Sequence, residues 1–435
     1  AQGRGSSLGT CSRLRQLAMG RLLAFFTCIS ICNCVRGDGA LRVRVVVMTT
    51  FEPETRPWLQ FGWTDEMSFP AGACFPQQPL RWNAELGVLH CCVGLGPVQA
   101  AATVAALGSD PRFRFTESLW LLVGIGGIDP ALASVPSANW VSAIVDGDNA
   151  NYFDPREASF PGAWTTGWFT QESWSFVLPE PAQVQLPAPY QPVPASELGE
   201  RTNVRMLNKK LVDAAKALTK DTQFEDSPCL RGLRVPYANG TTPLDSPRVF
   251  SEAGLSTHRF WAGDLSLDWA RNWTSYWLGG RHRFGSSAEE DMGVAVALGV
   301  LSRSGYVRPP SAALLVLRTG SNYVAPPPGH DLLEWFASPL HLCEDDAANV
   351  AYNVGSPLVR AVARGDISLG VDSSQHGWRV NLVASGSQEP AGVSIAICSV
   401  LVSIAFFLGM FGRHFVSGSC ERVRRQKARD VYLSF

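Results

Sequence analysis

The chain has 435 residues, 46% hydrophobic and 17% charged, which is enough apolar material for one large or two small globular domains. Its 37 basic and 38 acidic residues nearly cancel, and this balance argues against a nucleic-acid-binding protein. The 40 Gly and 29 Pro are too few and too irregularly spaced for a collagen-like or wholly disordered chain.

Residues 1–37 are predicted to be a signal-like segment. Arg13, Arg15 and Arg21 precede the apolar run LLAFFTCISIC, as the basic and hydrophobic regions of a secretory signal do. The alternative is that this run is a buried strand or helix of the folded domain. The polar stretch NCVRGDG, which separates it from the first strand, disfavours that alternative.

Residues 38–388 are predicted to form one α/β domain. Apolar runs predict buried strands at 41–50, 87–96, 118–128 and 312–322, and the run ANWVSAIVDGD predicts another. One helix is predicted from Pro97 to the GSDP turn, another from EED to Gly305, and a third over 349–365. A further helix is predicted after a cap at Ser196, and its apolar face would carry Leu207, Leu211, Ala215 and Leu218. Strands that alternate with helices and glycine-rich turns indicate a parallel or mixed sheet.

Polar or glycine-rich sequence follows four of these strands, and ligands of open α/β sheets bind at such ends. The candidate site residues are Glu52, Glu54, Gly94, Gly96, Gly126, Gly127, Glu290, Asp291, Ser321 and Asn322. Each has a plainer alternative, namely a solvated loop charge, a tight turn or a helix cap. There is no dinucleotide fingerprint, phosphate loop, nucleophile elbow or pair of His at metal-binding spacing, so no cofactor and no metal is expected.

Residues 392–411 are predicted to be one transmembrane helix, because these 20 residues carry no charge. A core helix is the alternative, but one of this length would show a polar face. The basic tail at 412–435 is expected on the cytoplasmic side. Together with the signal-like start, this predicts delivery through the secretory pathway to the cell-surface membrane, with the central domain extracytosolic. Sequons at Asn239 and Asn272 predict glycosylation.

Five cysteines lie in the central region: Cys74, Cys91, Cys92, Cys229 and Cys343. An odd number permits two disulfides and leaves one thiol, with the pairing open.

The order of VGLGPVQAAATVAAL, LLVGIGGIDP and an acidic DGD turn resembles the nucleoside phosphorylase and nucleosidase superfamily. More closely, TTFEPETRPW, GIGGIDP, YFDPREASFPGAW, EED and LRTGSNYVAPPPG resemble the purine nucleoside permease family of fungi and bacteria, over about residues 41–370. The resemblance implies a three-layer, nucleoside phosphorylase-like domain with a mixed central sheet. It also implies a site for a purine nucleoside.

The resemblance implies roles for individual residues. Glu290 matches a carboxylate that holds the ribose hydroxyls, with Glu289 where the superfamily has Met. Ser321 and Asn322 match a Ser-Asp pair that protonates the purine in superfamily hydrolases, although Asn cannot act as a general acid.

The loop after the first strand matches the one that carries the water-activating glutamate of those hydrolases. Glu54 fits that position, and Glu52 is the alternative. The arginines that bind phosphate in phosphorylases have no counterpart here unless Arg56 serves, so phosphorolysis is disfavoured.

Three functions remain open. The first is purine nucleoside binding and uptake, with a separate transporter partner or a homo-oligomer, because one membrane helix cannot provide alternating access. The second is an enzyme that cleaves the N-glycosidic bond, with a nucleosidase favoured over a phosphorylase. The third is a glycosylated surface protein with an inactive pocket.

Overall fold

The computed structural model describes residues 39–157, 166–170, 203–238, 241–338 and 342–367. These ranges belong to one compact unit that ends at Gly370. Several sequence predictions fall outside them: the signal-like segment 1–37, the span 392–411, the tail 412–435, the cap at Ser196 and the sequon at Asn239.

The described strands follow one another along the chain in short runs. They are β1 (Leu41–Arg42), β2 (Val45–Thr49), β3 (Asp65–Met67), β4 (Leu80–Asn83), β5 (Val88–Cys92), β6 (Phe113–Arg114), β7 (Leu119–Ile128), β8 (Ala138–Trp140), β9 (Ala143–Asp146), β10 (Ala150–Tyr152), β11 (Trp168–Thr170), β12 (Val204–Met206), β13 (Val249–Phe250), β14 (Ala253–Ser256), β15 (Phe284–Ala288) and β16 (Leu314–Tyr323).

The described α-helices are α1 (Glu52–Thr55), α2 (Gly96–Gly108), α3 (Lys209–Thr219), α4 (Pro228–Arg234), α5 (Asp264–Leu278), α6 (Asp291–Arg303), α7 (Pro310–Ala313), α8 (Leu332–Ala337) and α9 (Glu344–Arg364). Short 3-10 helices cover Arg56–Phe61 and Thr242–Leu244. Within the described ranges, no helix combines the length and the apolar character that crossing a membrane requires.

A twelve-stranded mixed sheet organises the described residues. Its main path runs β12-β9-β14-β15-β7-β2-β5-β4-β3, with β16 beside β7 and β8, and β13 beside β8. The strands β5, β2, β7 and β16 are mutually parallel, whereas β15 pairs antiparallel with β7. The predicted α/β class with a large mixed sheet is therefore confirmed.

The central strands are buried on both faces, as their runs of Val and Leu require. All five residues of β2 are buried, and the core extends through Leu119–Val123 of β7 and Leu314–Leu317 of β16. Helix α9 packs on β7 and β16, and α2 packs on α6. The α2–α6 approach depends on Gly293, because a Cβ there would lie 2.1 Å from the Pro97 carbonyl oxygen.

Some predicted boundaries were wrong. The helix placed after Ser196 begins only at Lys209, because the Asn208 side chain accepts hydrogen bonds from the amides of Lys210 and Leu211 and so caps it there. The predicted strand ANWVSAIVDGD is two strands, β8 and β9, which pair with different neighbours. The last helix begins at Glu344 rather than at residue 349.

The cysteine prediction is confirmed. Cys74 bonds to Cys92 and Cys229 bonds to Cys343, and Cys91 is left as a buried thiol in the described part of the chain. The second disulfide joins α4 to the residue that precedes α9.

Candidate functional site

A cavity of about 230 Å³ lies at the ends of β2, β7 and β16, where β14 and β15 also end. The carboxyl ends of the parallel strands β2, β7 and β16 lie beside this cavity. Ligands of open α/β sheets bind at such strand ends. Six of the residues predicted from the sequence line it: Glu54, Gly126, Gly127, Glu290, Ser321 and Asn322.

The remaining predicted residues lie beside or outside the cavity. Gly96 and Asp291 are in the layer behind it, where they contact Glu290 and Arg318 respectively. Gly94 does not line the cavity; its φ of 88° suits glycine, and a Cβ there would meet Gln99 and Ala73. Glu52 is partly exposed and pairs with Arg56.

A buried arginine organises the carboxylates of the site. Arg318 comes from β16, and its Nε and Nη2 donate to Asp291 Oδ1 at 3.0 and 2.5 Å. Nη2 also donates to Glu290 Oε2 at 2.9 Å, and Nη1 lies 3.6 Å from Glu54 Oε1. Burial alone would lower the pKa of Arg318, but Asp291, Glu290 and Glu54 raise it, so the guanidinium stays charged. The three carboxylates thus share one cation.

Arg318 was not predicted from the sequence, although a signal was present. It interrupts the apolar strand AALLVL, and an arginine inside such a strand must find carboxylates or carbonyls when it is buried.

Glu54 is hydrogen-bonded both to β7 and to the residue that follows β2. Its Oε1 accepts from the Ile125 amide at 2.7 Å, and its Oε2 accepts from the amide and the hydroxyl of Thr50, both at 2.8 Å. Gly124 makes the room, since a Cβ there would lie 2.0 Å from Oε1. Burial raises the pKa of Glu54 to about 7 against the opposing charge of Arg318. This carboxyl can therefore exchange a proton near neutral pH.

Glu290 lies at the N-terminus of two helices. It is the residue before α6, and its Oε1 accepts from the amide of Gly96, the first residue of α2, at 3.1 Å. It is only 3% exposed, and it still lines the cavity. Its neighbour Glu289 is half-buried, and burial together with the charge of Glu290 raises the pKa of Glu289.

The glycines at the end of β7 serve packing as well as the cavity wall. A Cβ on Gly126 would lie 2.4 Å from the Ser287 carbonyl oxygen, and one on Gly127 would lie 2.5 Å from Val324. On the adjacent strand β16, Ser321 donates to the Asn322 side-chain oxygen at 3.1 Å, and the Asn322 amide donates to the Tyr323 carbonyl at 3.0 Å. These bonds fix the orientation of the Asn322 amide.

The segment after β14 contributes residues that the sequence did not single out for the site. Arg259, Phe260 and Trp261 line the cavity. The Arg259 guanidinium stacks 3.7 Å from the ring centre of Trp168 and pairs with Asp148. Asp148 is the second acid of the DGD turn, so that turn contributes to the wall indirectly.

The first acid of that turn has a structural role. Asp146 accepts hydrogen bonds from the amides of Asp148 and Asn149 at 2.8 and 3.0 Å, which closes the turn.

Two further predicted positions have local partners. Arg56 is exposed and binds Glu52 and Asp345, so it does not provide a cation inside the cavity. Asn272 lies within α5, is half-buried, and donates to the Asp268 carbonyl at 2.7 Å. Its glycosylation stays a prediction.

Solved structures of low sequence identity resemble the fold. A 5′-methylthioadenosine/S-adenosylhomocysteine nucleosidase of Streptococcus pneumoniae, in complex with 8-aminoadenine, has a TM-score of 0.42 and 12% identity, and covers 73% of this chain and 100% of that one. The Neisseria meningitidis nucleosidase, in complex with methylthio-immucillin-A, has a TM-score of 0.40 and 14% identity, and covers 73% and 99%. Similarity at this level says nothing about individual site residues.

Relatives of known name are closer in sequence. The chain is 27% identical over 257 residues to the "Probable purine nucleoside permease C285.05" of Schizosaccharomyces pombe, covering 57% of this chain and 67% of the relative. It is 22% identical over 296 residues to the "Purine nucleoside permease" of Candida albicans, covering 67% and 68%. The family model described as "Purine nucleoside permease (NUP)" matches residues 42–365, which is most of the chain and includes every residue of the cavity. The chain therefore belongs to the purine nucleoside permease family.

Proposed function

We propose that the chain binds purine nucleosides in this cavity and serves their uptake. The family and the names of its relatives support this function. The cavity supports it chemically, since a nucleoside presents hydroxyl groups at one end and a flat ring at the other. The cavity wall offers both kinds of group, since it includes the acidic residues Glu54 and Glu290 and the aromatic residues Phe260 and Trp261.

The observation that carries the proposal is the placement of Glu290. Its two oxygens are positioned by Arg318 Nη2 and by the Gly96 amide, at 2.9 and 3.1 Å. Each carboxylate oxygen can accept a second hydrogen bond, and bonds from hydroxyl groups to a charged acceptor are strong. A buried carboxylate that is fixed in this way is suited to hold a pair of ribose hydroxyls.

Uptake needs more than this domain. The sequence predicts one membrane helix at 392–411 and an extracytosolic domain, and one helix cannot provide alternating access. A separate transporter protein, or several copies of this chain, would have to form the path. We also propose that the domain has the three-layer, nucleoside phosphorylase-like arrangement that the sequence resemblance implies.

Hydrolysis of the N-glycosidic bond is the second candidate function, and the state of Glu54 favours it. Its carboxyl has a pKa of about 7 and lines the cavity. It could take a proton from a water molecule whose oxygen bonds to the anomeric carbon of the ribose, while the N-glycosidic bond breaks and its electron pair leaves with the purine; the purine anion then takes a proton from solvent, so that ribose and the neutral free base are the products. Asn322 could bind the departing base but could not protonate it. Phosphorolysis is disfavoured, because Arg56 lies outside the cavity.

One experiment tests both functions. Purified full-length protein is titrated with inosine in a calorimeter, and the same samples are assayed for free hypoxanthine with and without phosphate. Cells with and without the protein are compared for accumulation of labelled inosine. Saturable binding, faster accumulation and no free base support uptake. Free base that forms without phosphate supports hydrolysis, and an absence of inosine binding contradicts both.

A further inference from the structure

The cavity is lined by more acidic than basic residues. Acidic residues outnumber basic ones by four to two: Glu54, Glu289, Glu290 and Glu344 against Arg259 and Arg318. Both basic residues are also bound to acids behind the wall. Arg318 pairs with Asp291, and Arg259 pairs with Asp148.

Arg318 has little capacity left for an anionic ligand. All three of its guanidinium nitrogens donate to protein acceptors: Asp291, Glu290 and the carbonyl of Ile125, the last at 3.2 Å. A phosphate group would have to displace one of these acceptors and leave a buried carboxylate without its partner, which is costly.

The helix terminus at the site is occupied too. The N-terminus of a helix can bind phosphate through its exposed amides. Here the amide of Gly96, which begins the 13-residue helix α2, donates to the carboxylate of Glu290. Glu289 lies close to the same point, since its Oε2 would be 3.9 Å from a Cβ on Gly96. The chain's own carboxylates therefore occupy the helix N-terminus at which a phosphate could otherwise bind.

We infer that the cavity admits uncharged purine nucleosides and excludes their 5′-phosphates, and that Glu289 is a residue that sets this discrimination. The inference rests on the proposed function, since it concerns which ligands enter the same cavity. A phosphate group inside a cavity of about 230 Å³ lies within a Debye length, about 8–10 Å, of the lining carboxylates. Like charges brought together in such a partly buried site repel strongly.

Glu289 is the informative residue because its charge is not needed to neutralise Arg318, which has Asp291 and Glu290 as its close partners. Burial and the charge of Glu290 raise the pKa of Glu289, and His258 and Arg318 only partly oppose them. The surroundings of Glu289 thus already disfavour a negative charge at this place, and a phosphate would bring a further negative charge to it.

The test compares inosine with inosine 5′-monophosphate by calorimetric titration of the full-length protein. The quantity compared is the ratio of the dissociation constant for the monophosphate to that for inosine. We expect this ratio to be at least about ten for the wild-type protein, and to shrink as NaCl is raised. In Glu289→Gln, the ratio should fall by about threefold to tenfold. Glu289→Met, which introduces the residue of the superfamily pattern, should act in the same direction. Glu52→Gln, which removes a carboxylate outside the cavity, should leave the ratio unchanged.

The outcomes separate the two proposals. Equal affinity of the wild-type protein for both ligands would overturn the exclusion while leaving nucleoside binding intact. A ratio that is the same in wild type and in both Glu289 variants, each with a wild-type melting temperature, would overturn the role of Glu289. If the wild-type protein binds no inosine at all, the proposed function fails, and this inference fails with it.

Discussion

Arg318 and Asp291 form the most buried ion pair of the site, with two guanidinium nitrogens at 2.5 and 3.0 Å from one carboxylate oxygen. Asp291 is fully buried and Arg318 is 1% exposed. The pair joins the first residue of α6 to β16, so it ties the wall that carries Glu290 to the central sheet.

Removing this cation should destabilise the protein. Arg318→Met would leave Asp291, Glu290 and Glu54 close together without a counter-charge, and breaking a buried pair in this way typically costs about 3–5 kcal/mol. Urea denaturation should show this loss of unfolding free energy. The matched control is Arg156→Met, which removes the exposed partner of Asp154 and should leave the unfolding free energy close to that of the wild type. Similar stabilities for the two variants would contradict the structural role given to Arg318.

The raised pKa of Glu54 predicts a pH dependence of stability. The folded protein holds this proton up to about pH 7, whereas the unfolded chain releases it near pH 4.5. The folded state therefore binds more protons between these values, and the contribution of Glu54 to stability is complete below pH 4.5 and is lost as pH rises through about 7. Glu54→Gln should flatten the curve of unfolding free energy against pH in this window. A curve parallel to that of the wild type would show that Glu54 ionises normally.

Glu290 should matter for nucleosides and not for free bases. Glu290→Gln replaces charge-assisted hydrogen bonds to the ribose by neutral ones, which typically costs about 1.5–3 kcal/mol, or roughly tenfold to a hundredfold in affinity. Calorimetry with inosine and with hypoxanthine distinguishes the two ligands. An equal loss for both would mean that Glu290 acts through Arg318 on the shape of the cavity.

The disulfide between Cys229 and Cys343 should stabilise the cavity wall. Its neighbours Leu342 and Glu344 line the cavity, and the Cys343 amide donates to the Ser321 carbonyl at 2.9 Å. Replacing both cysteines by Ser should lower the unfolding free energy by about 2–5 kcal/mol and weaken inosine binding. Cys91→Ser is the control for binding, because Cys91 is buried outside the cavity wall. Unchanged inosine affinity in the double variant would show that the wall keeps its shape without the bond.

The predicted topology can be tested directly. Endoglycosidase should shift the mobility of the protein if Asn239 or Asn272 is glycosylated, and protease added to intact cells should remove the domain at 38–388. A variant with Gln at both sequons should show no mobility shift. A full-length, unglycosylated protein that resists external protease would contradict the secretory signal and the extracytosolic placement.

The sequence by itself determined the family, the α/β class and the central strands, and its five central cysteines permitted two disulfides with the pairing open. The class and the strands depend on local runs such as VVVM and LWLLV, whose apolar residues must be buried wherever the strands pair. It also indicated which strand ends carry polar or glycine-rich sequence, and six of the residues named there line one cavity. Helix starts were less predictable, since Asn208 rather than Ser196 caps α3, and only the hydrogen bonds of the folded chain distinguish two such candidates.

Only the tertiary structure decided which polar side chains meet. Glu52 and Glu54 stand two positions apart in one helical turn, so they point in different directions, and Glu54 enters the site because Gly124 of β7 leaves space for it. Arg318 contacts Asp291 and Glu290, which lie about 28 residues before it in the sequence. It also lies close to Glu54, which is 264 residues before it. Periodicity tells which face of a strand or helix is buried, but contacts between distant segments depend on the pairing of the strands that carry them.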